Sequence, residues 1–194
     1  YHTILIARDE QGVWEINQAI TNSTDDAHTY YKNRITFEEF LKLSPHVITT
    51  SACLASPLNK LDVKNPWYEK LVQRYDFLEI QPHLHRDQIL FNQQLAILSQ
   101  QYKKPLIAGT DAHSLSPYKA ECRGILMDAK KQSYGDEDSF DLTYKSYDEL
   151  VDAFRQQDAI PESMWMEAIQ NTNVLADMVE DFELDLSLKY PKLY

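Results

Sequence analysis

Four short runs of apolar or β-branched residues stand out along the chain: His2–Ala7, Val47–Ser51, Phe77–Gln81 and Leu106–Gly109. Each has the length of a buried strand. Between them the apolar positions shift to a helical period. Val13, Ile16 and Ile20 share one face, and Thr36-Phe37-Glu38-Glu39 is a capping box. Asn65-Pro66 is a cap followed by proline at a first helical position, and Leu95, Leu98 and Tyr102 continue the helical theme from Arg86 onward. Strands alternating with helices predict an α/β fold, with a parallel sheet or a piece of an α/β barrel.

Beyond Gly109 the pattern becomes helical. Ser116-Pro117 opens one helix, and Ser146-Tyr147-Asp148-Glu149 is a second capping box. Pro161 opens a third helix, with Met164, Ala168, Leu175 and Val179 on its apolar side. The polar stretch Gln132–Asp141, with Gly135-Asp136 as a turn signal, reads as an exposed loop, and the aromatic tail Tyr190–Tyr194 as an extended exit toward another module. The expectation is a single domain over 1–194. Its first part, 1–113, alternates strand and helix, and its second part, 114–194, is mainly helical.

Composition narrows the function classes. Of 194 residues, 19 are Lys or Arg and 30 are Asp or Glu, a net charge of −11, with 43% hydrophobic residues. These are the proportions of a globular chain. The acidic balance argues against a self-sufficient nucleic-acid binder, which needs clustered cations to neutralise phosphates. No apolar run is long enough to span a bilayer, no secretory pattern opens the chain, and the two cysteines, Cys53 and Cys122, are too few for a disulfide framework. A cytoplasmic, reducing setting is expected. The chain starts at Tyr1, inside an apolar run, which reads as the start of a fragment. The absence of a glycine-rich phosphate loop, a Gly-x-Ser-x-Gly elbow and a His-Glu-x-x-His helix disfavours serine hydrolases and dinucleotide dehydrogenases.

The candidate chemistry gathers just past the ends of the predicted strands, where parallel α/β folds bind their ligands. His83, His85 and His113 all fall there. In an extended Asp111-Ala112-His113, a carboxylate and an imidazole point to one side and can reach one metal ion; the alternative is that the Asp after the strand is only a helix cap or turn former. Cys53 follows another strand and is either a further ligand or a small buried hydrophobe. His83 is a ligand candidate or part of a polar loop opened by Pro82. His2 begins its strand and lies toward the opposite rim if that strand runs parallel to the others, so either the strand starts later or His2 is not a ligand. Glu79, a carboxylate within a strand, calls for a base partner or a place facing a barrel interior. Arg34, close to Lys32, can bind phosphate through its planar fork or be part of a solvated basic turn. Cys122 reads as a core residue.

Five segments, in order, resemble the polymerase and histidinol phosphatase (PHP) domain found at the N-terminus of bacterial and phage DNA polymerase III alpha subunits. They are Tyr1–Ala7, Tyr30–Ile35, Thr50–Ala55, Phe77–His83 and Pro105–His113, and the stretch from Glu167 through Leu186 is similar to that domain's last helix. The resemblance implies a distorted seven-stranded α/β barrel holding up to three divalent metals, zinc or manganese. It puts His2, Cys53, Asp111 and His113 on metal-ligand positions, with Asp111 and His113 as catalytic residues, and Arg34 and His83 in recurrent segments as phosphate-binding candidates. The family's His-x-His first motif is not present, so the chain corresponds to the C-terminal part of the domain, without the first strands and about half the ligands. An intact site would perform metal-dependent 3′–5′ exonuclease chemistry; this segment alone is expected to hold metal weakly and to catalyse poorly. The implied partners are DNA, reached through the parent polymerase, the other polymerase domains and a separate exonuclease subunit. A stand-alone phosphatase of the same superfamily and a non-catalytic structural module are the alternatives.

Overall fold

The computed structural model describes residues 1–29, 31–132, 140–184, 186–188 and 190. Among these, the chain is a mixed α/β protein. Strands β1 (Ile4–Ala7) and β2 (Val47–Thr50) form one two-stranded sheet, and β3 (Leu78–Ile80) and β4 (Leu106–Ala108) form another. Helices α1 (Glu10–Asn22), α2 (Phe37–Lys42), α3 (Pro57–Lys60), α4 (Tyr68–Arg74) and α5 (Arg86–Tyr102) lie between the strands in sequence. After β4 come α6 (Pro117–Ala129), α7 (Tyr147–Gln157) and α8 (Glu162–Asp177). No helix among the described residues is long and apolar enough to cross a membrane. The predicted loop Gln132–Asp141 falls largely, and the tail from Pro191 wholly, outside the described residues.

The chain divides into two compact units. The larger comprises Tyr1–Ile4 and Thr49–Ala176, the smaller Leu5–Ile48 and Asp177–Tyr194. The core of the larger unit is the β3–α5–β4 succession. β3 and β4 pair in parallel, with Leu78 opposite Leu106, Glu79 opposite Ile107 and Ile80 opposite Ala108. A parallel bridge between Thr50 and Phe77 carries the pairing toward β2. Helix α5 buries Phe91, Leu95 and Leu98, and with them the polar Gln88 and Asn92. It ends at Lys103, whose left-handed φ of 54° closes the cap through a bond from its N–H to the Ser99 carbonyl. Tyr75, fully buried, shares a 2.7 Å hydrogen bond with the Thr3 hydroxyl, and burial pushes its phenol up to about 12. Phe154 of α7 stacks on Trp165 of α8, and the Asn171 amide of α8 donates to the Leu106 carbonyl at 2.8 Å.

In the smaller unit, Asp9 caps α1 by accepting from Gly12 N–H at 2.9 Å and pairs with His46 Nδ1 at 2.5 Å. Gly12 lies so close to the His46 carbonyl that any side chain there would collide with it. The two predicted capping boxes form as expected, Thr36 with Glu39 and Ser146 with Glu149. Asn65-Pro66 behaves differently: the Asn65 side chain accepts from Trp67 N–H at 2.9 Å, making a turn, and the helix starts at Tyr68. The cap-and-proline signal belongs instead to Ser56-Pro57, which opens the short α3. Cys122 is exposed rather than in the core, because α6 turns that face outward.

Candidate functional site

β1 begins at Ile4, so His2 precedes the strand instead of opening it. Its backbone N–H donates to the Ala55 carbonyl at 2.9 Å, and its Nδ1 lies 3.7 Å from Cys53 Sγ. Two of the predicted ligands therefore meet, although one precedes β1 and the other follows β2. The residue before Cys53, Ala52, has a left-handed φ of 58°, which bends the chain sharply at that point. Burial pushes the Cys53 thiol up, and the negative charges of Asp111 and Glu79 push in the same direction.

Asp111 is itself left-handed, with φ of 48°. The segment Asp111–His113 is accordingly not extended, and the same-side argument drawn from strand alternation does not apply to it. Aspartate tolerates this conformation better than most residues, and non-glycine residues held there concentrate at functional sites. The Asp111 carboxylate acts electrostatically on Cys53, Glu79 and His83. His113 is exposed; its backbone N–H donates to the Leu142 carbonyl at 2.8 Å.

Glu79 is buried, 7% exposed, and acts electrostatically on Cys53. Its oxygens are held by the Thr50 hydroxyl at 2.7 Å and the Gln81 amide at 2.9 Å, and among the described residues no base pairs with it. Burial raises its carboxyl above the ordinary range, and Asp111 adds to the rise. Gly109 makes room for it, since a β-carbon at that position would strike Glu79 Oε1.

His83 is buried and stacks on Phe140 at 4.9 Å between ring centroids. Burial lowers its imidazole to about 4, and its Nε2 has no hydrogen-bond partner among the described residues. A neutral ring is the form such a place accepts. Beside it is a cavity of about 290 Å³ whose walls include His85, Phe140, Asp141 and Lys145. Asp141 is drawn two ways: burial raises its carboxyl, while the Lys145 ammonium at 2.8 Å and Thr143 outweigh that and hold it at about 2. His85 caps α5, its Nδ1 accepting from Asp87 N–H at 3.3 Å. Arg34 is exposed and belongs to the smaller unit.

The backbone after β3 is pinned by two residues that the sequence pattern did not single out. Asn92 of α5 donates to the Gln81 carbonyl at 2.8 Å and accepts from Gln81 N–H at 3.3 Å. Gln157 of α7 donates to the carbonyls of Gln81 at 2.9 Å and His83 at 2.7 Å, and its own oxygen accepts from Asn92 at 2.7 Å. Gln88 completes the set with a 2.9 Å bond to Asn92. The available signal was the interruption of apolar helix faces by amides, which cost free energy in a core unless satisfied.

In type, thiol, imidazole and carboxylate donors suit zinc or another divalent ion. In position, the described residues contain no group of three or more His, Cys, Asp or Glu side chains drawn together to hold one. His2 and Cys53 make a pair rather than a cage, so the residues present do not amount to a closed ion site.

No protein-family model matches the chain. Among curated proteins it is similar to the DNA polymerase III subunit alpha of Borreliella burgdorferi, 28% identical across 95% of this chain. It is also similar to the DNA polymerase III PolC-type of Clostridium perfringens, 26% identical across 93% of this chain, and to the Aquifex aeolicus DNA polymerase III subunit alpha, 29% identical across 66%. The chain spans 17% of the length of the first of these relatives, 13% of the second and 12% of the third. Over nearly its whole length, then, this sequence is similar to one part of much longer DNA polymerase III polypeptides.

Proposed function

We propose that this chain is the C-terminal part of a PHP-type domain within a DNA polymerase III-type polypeptide, and that it serves DNA replication in the cytoplasm. The observation that carries the reading is the similarity to polymerase subunits across almost all of the chain. Those relatives are named as polymerases and not as phosphatases, which favours the polymerase branch over a stand-alone enzyme. The parallel β3–α5–β4 succession is compatible with a piece of a seven-stranded barrel. DNA, the other polymerase domains and a separate exonuclease subunit are the partners this reading assigns.

Within that polypeptide His2, Cys53, Asp111 and His113 contribute donors to a zinc or manganese site that other parts of the polypeptide complete. A divalent ion would supply Lewis acidity and an activated water for cleaving a phosphodiester at a 3′ end. Asp111 and His113 are the residues assigned to the chemistry, and Arg34 and His83 the phosphate-binding candidates. A second reading, a structural module without catalysis, is favoured by the pairing of only two ligands among the described residues. The experiment is Asp111→Asn in the complete polymerase. Loss of 3′–5′ exonuclease turnover with polymerisation retained supports the metal-site reading; unchanged exonuclease activity removes it in favour of the module. Absence of template-directed synthesis in the unaltered complete protein would overturn the polymerase reading itself.

A further inference from the structure

Helix α6 is amphipathic but faces the wrong way for a helix that serves only this chain. None of its residues is buried. Tyr118, Cys122, Ile125 and Ala129 follow one another at steps of four, three and four, the spacing of a coiled-coil seam, with Leu115 one step earlier. This seam points to solvent: Leu115 is 80% exposed, Tyr118 68% and Ile125 66%. The half-buried side consists of Ala120, Arg123 and Met127, and a β-carbon at Gly124 would meet no atom within 4 Å. A helix of 13 residues without a buried face has little to stabilise it, since most helical stability in proteins comes from packing.

The two edges of the seam differ in charge. Projected at 100° per residue, Lys119 and Lys130 lie on one side, Glu121 and Asp128 on the other. A complementary partner is a helix with its own apolar seam, acidic where it meets the lysines and basic where it meets the carboxylates. The relatives in which this sequence is embedded are roughly six to eight times longer, as the 12–17% coverage shows. We infer that the outward seam of α6 is a docking surface for an amphipathic helix of the polymerase polypeptide outside these 194 residues, so that α6 fastens this region to another part of the same chain. The inference rests on the polymerase reading above.

Cys122, in the middle of the seam, is the reporter. The complete polypeptide, as its gene encodes it, would be treated with a maleimide in the native and the urea-denatured state, and alkylation at Cys122 read by peptide mass spectrometry. Burial under a partner helix is expected to slow the native reaction roughly 100-fold relative to the denatured one. Ile125→Lys, a change at an exposed position of this chain, is expected to restore most of the lost rate by unseating that helix. Native alkylation within about threefold of the denatured rate overturns the inference. So does protection that disappears on dilution, which would mean that a second copy covers the seam. If the complete polypeptide proves to have no polymerase sequence beyond these residues, the polymerase reading fails and the occupant with it, an outcome separate from an exposed Cys122 in a genuine polymerase.

Discussion

The β3–α5–β4 core and helix α6 invert the usual placement of polar and apolar residues. The core encloses Glu79, Gln81, His83, Gln88 and Asn92, all buried, while α6 leaves Tyr118, Ile125 and Leu126 in the open. In the core, the Glu79 carboxylate, the Gln81 backbone and the Asn92 amide are matched by partners at 2.7 to 3.3 Å, with His83 Nε2 and Gln88 Oε1 the exceptions, so the amides fix one arrangement of the chain after β3. On α6 nothing among the described residues buries the apolar seam. A buried polar network reports a position that this unit determines by itself. An exposed apolar seam reports a contact that the rest of a larger assembly must supply.

The contrast can be broken most severely at Asn92. Asn92→Ala leaves the Gln81 N–H, the Gln88 amide and the Gln157 side-chain oxygen without the partner they have now, and is expected to destabilise the chain by about 3 kcal/mol in urea titrations. Next comes His83. Its folded value near 4 lies below its ordinary 6.5, so between those values the unfolded chain takes a proton that the folded chain refuses. Stability should therefore fall as the pH is lowered through that window, by up to about 3 kcal/mol at its lower end. Glu79 acts in the opposite sense, because its raised carboxyl favours the folded state as the pH falls. The difference between wild type and His83→Gln across pH 6.5 to 4 isolates the imidazole, and parallel profiles would contradict its burial in neutral form.

Two glycines then make a matched pair. Gly109→Ala forces a methyl group against Glu79 and is expected to cost about 1 to 3 kcal/mol. Gly124→Ala adds the same methyl group in open space within α6 and is expected to stabilise by about 0.5 to 1 kcal/mol through helix propensity. Thermal melts of both variants measure the comparison directly, and equal effects of one sign would undo it.

Much of the fold was legible in the sequence because it is written locally. All four predicted strands occur, each somewhat shorter than its apolar run, and Thr36, Ser116 and Ser146 cap helices as their side chains dictate. What was not legible depends on direction or on distant partners. Periodicity locates a face on α6 but not whether it looks inward, which is why Cys122 reads as core and is exposed. Alternation assumes extended backbone, and the left-handed turn at Asp111 removes that assumption. The approach of His2 to Cys53 comes from how the chain returns on itself, which no local spacing encodes. Glu79 announced itself as an anomaly, but its partners Thr50 and Gln81 could be named only once β2 and β3 were placed side by side.

Asn92 has partners at two very different separations: Gln81, eleven positions earlier, and Gln157, sixty-five later. In kinetic terms this makes one side chain a member of two folding events. The nearer bond closes a short loop and can form with the β3–α5 pairing, whereas the farther one waits until α7 has been made and returned. Loss of the Asn92 side chain should therefore slow folding, while loss of Gln157 should chiefly hasten unfolding. The amide ladder works as a latch, set early at one end and thrown late at the other.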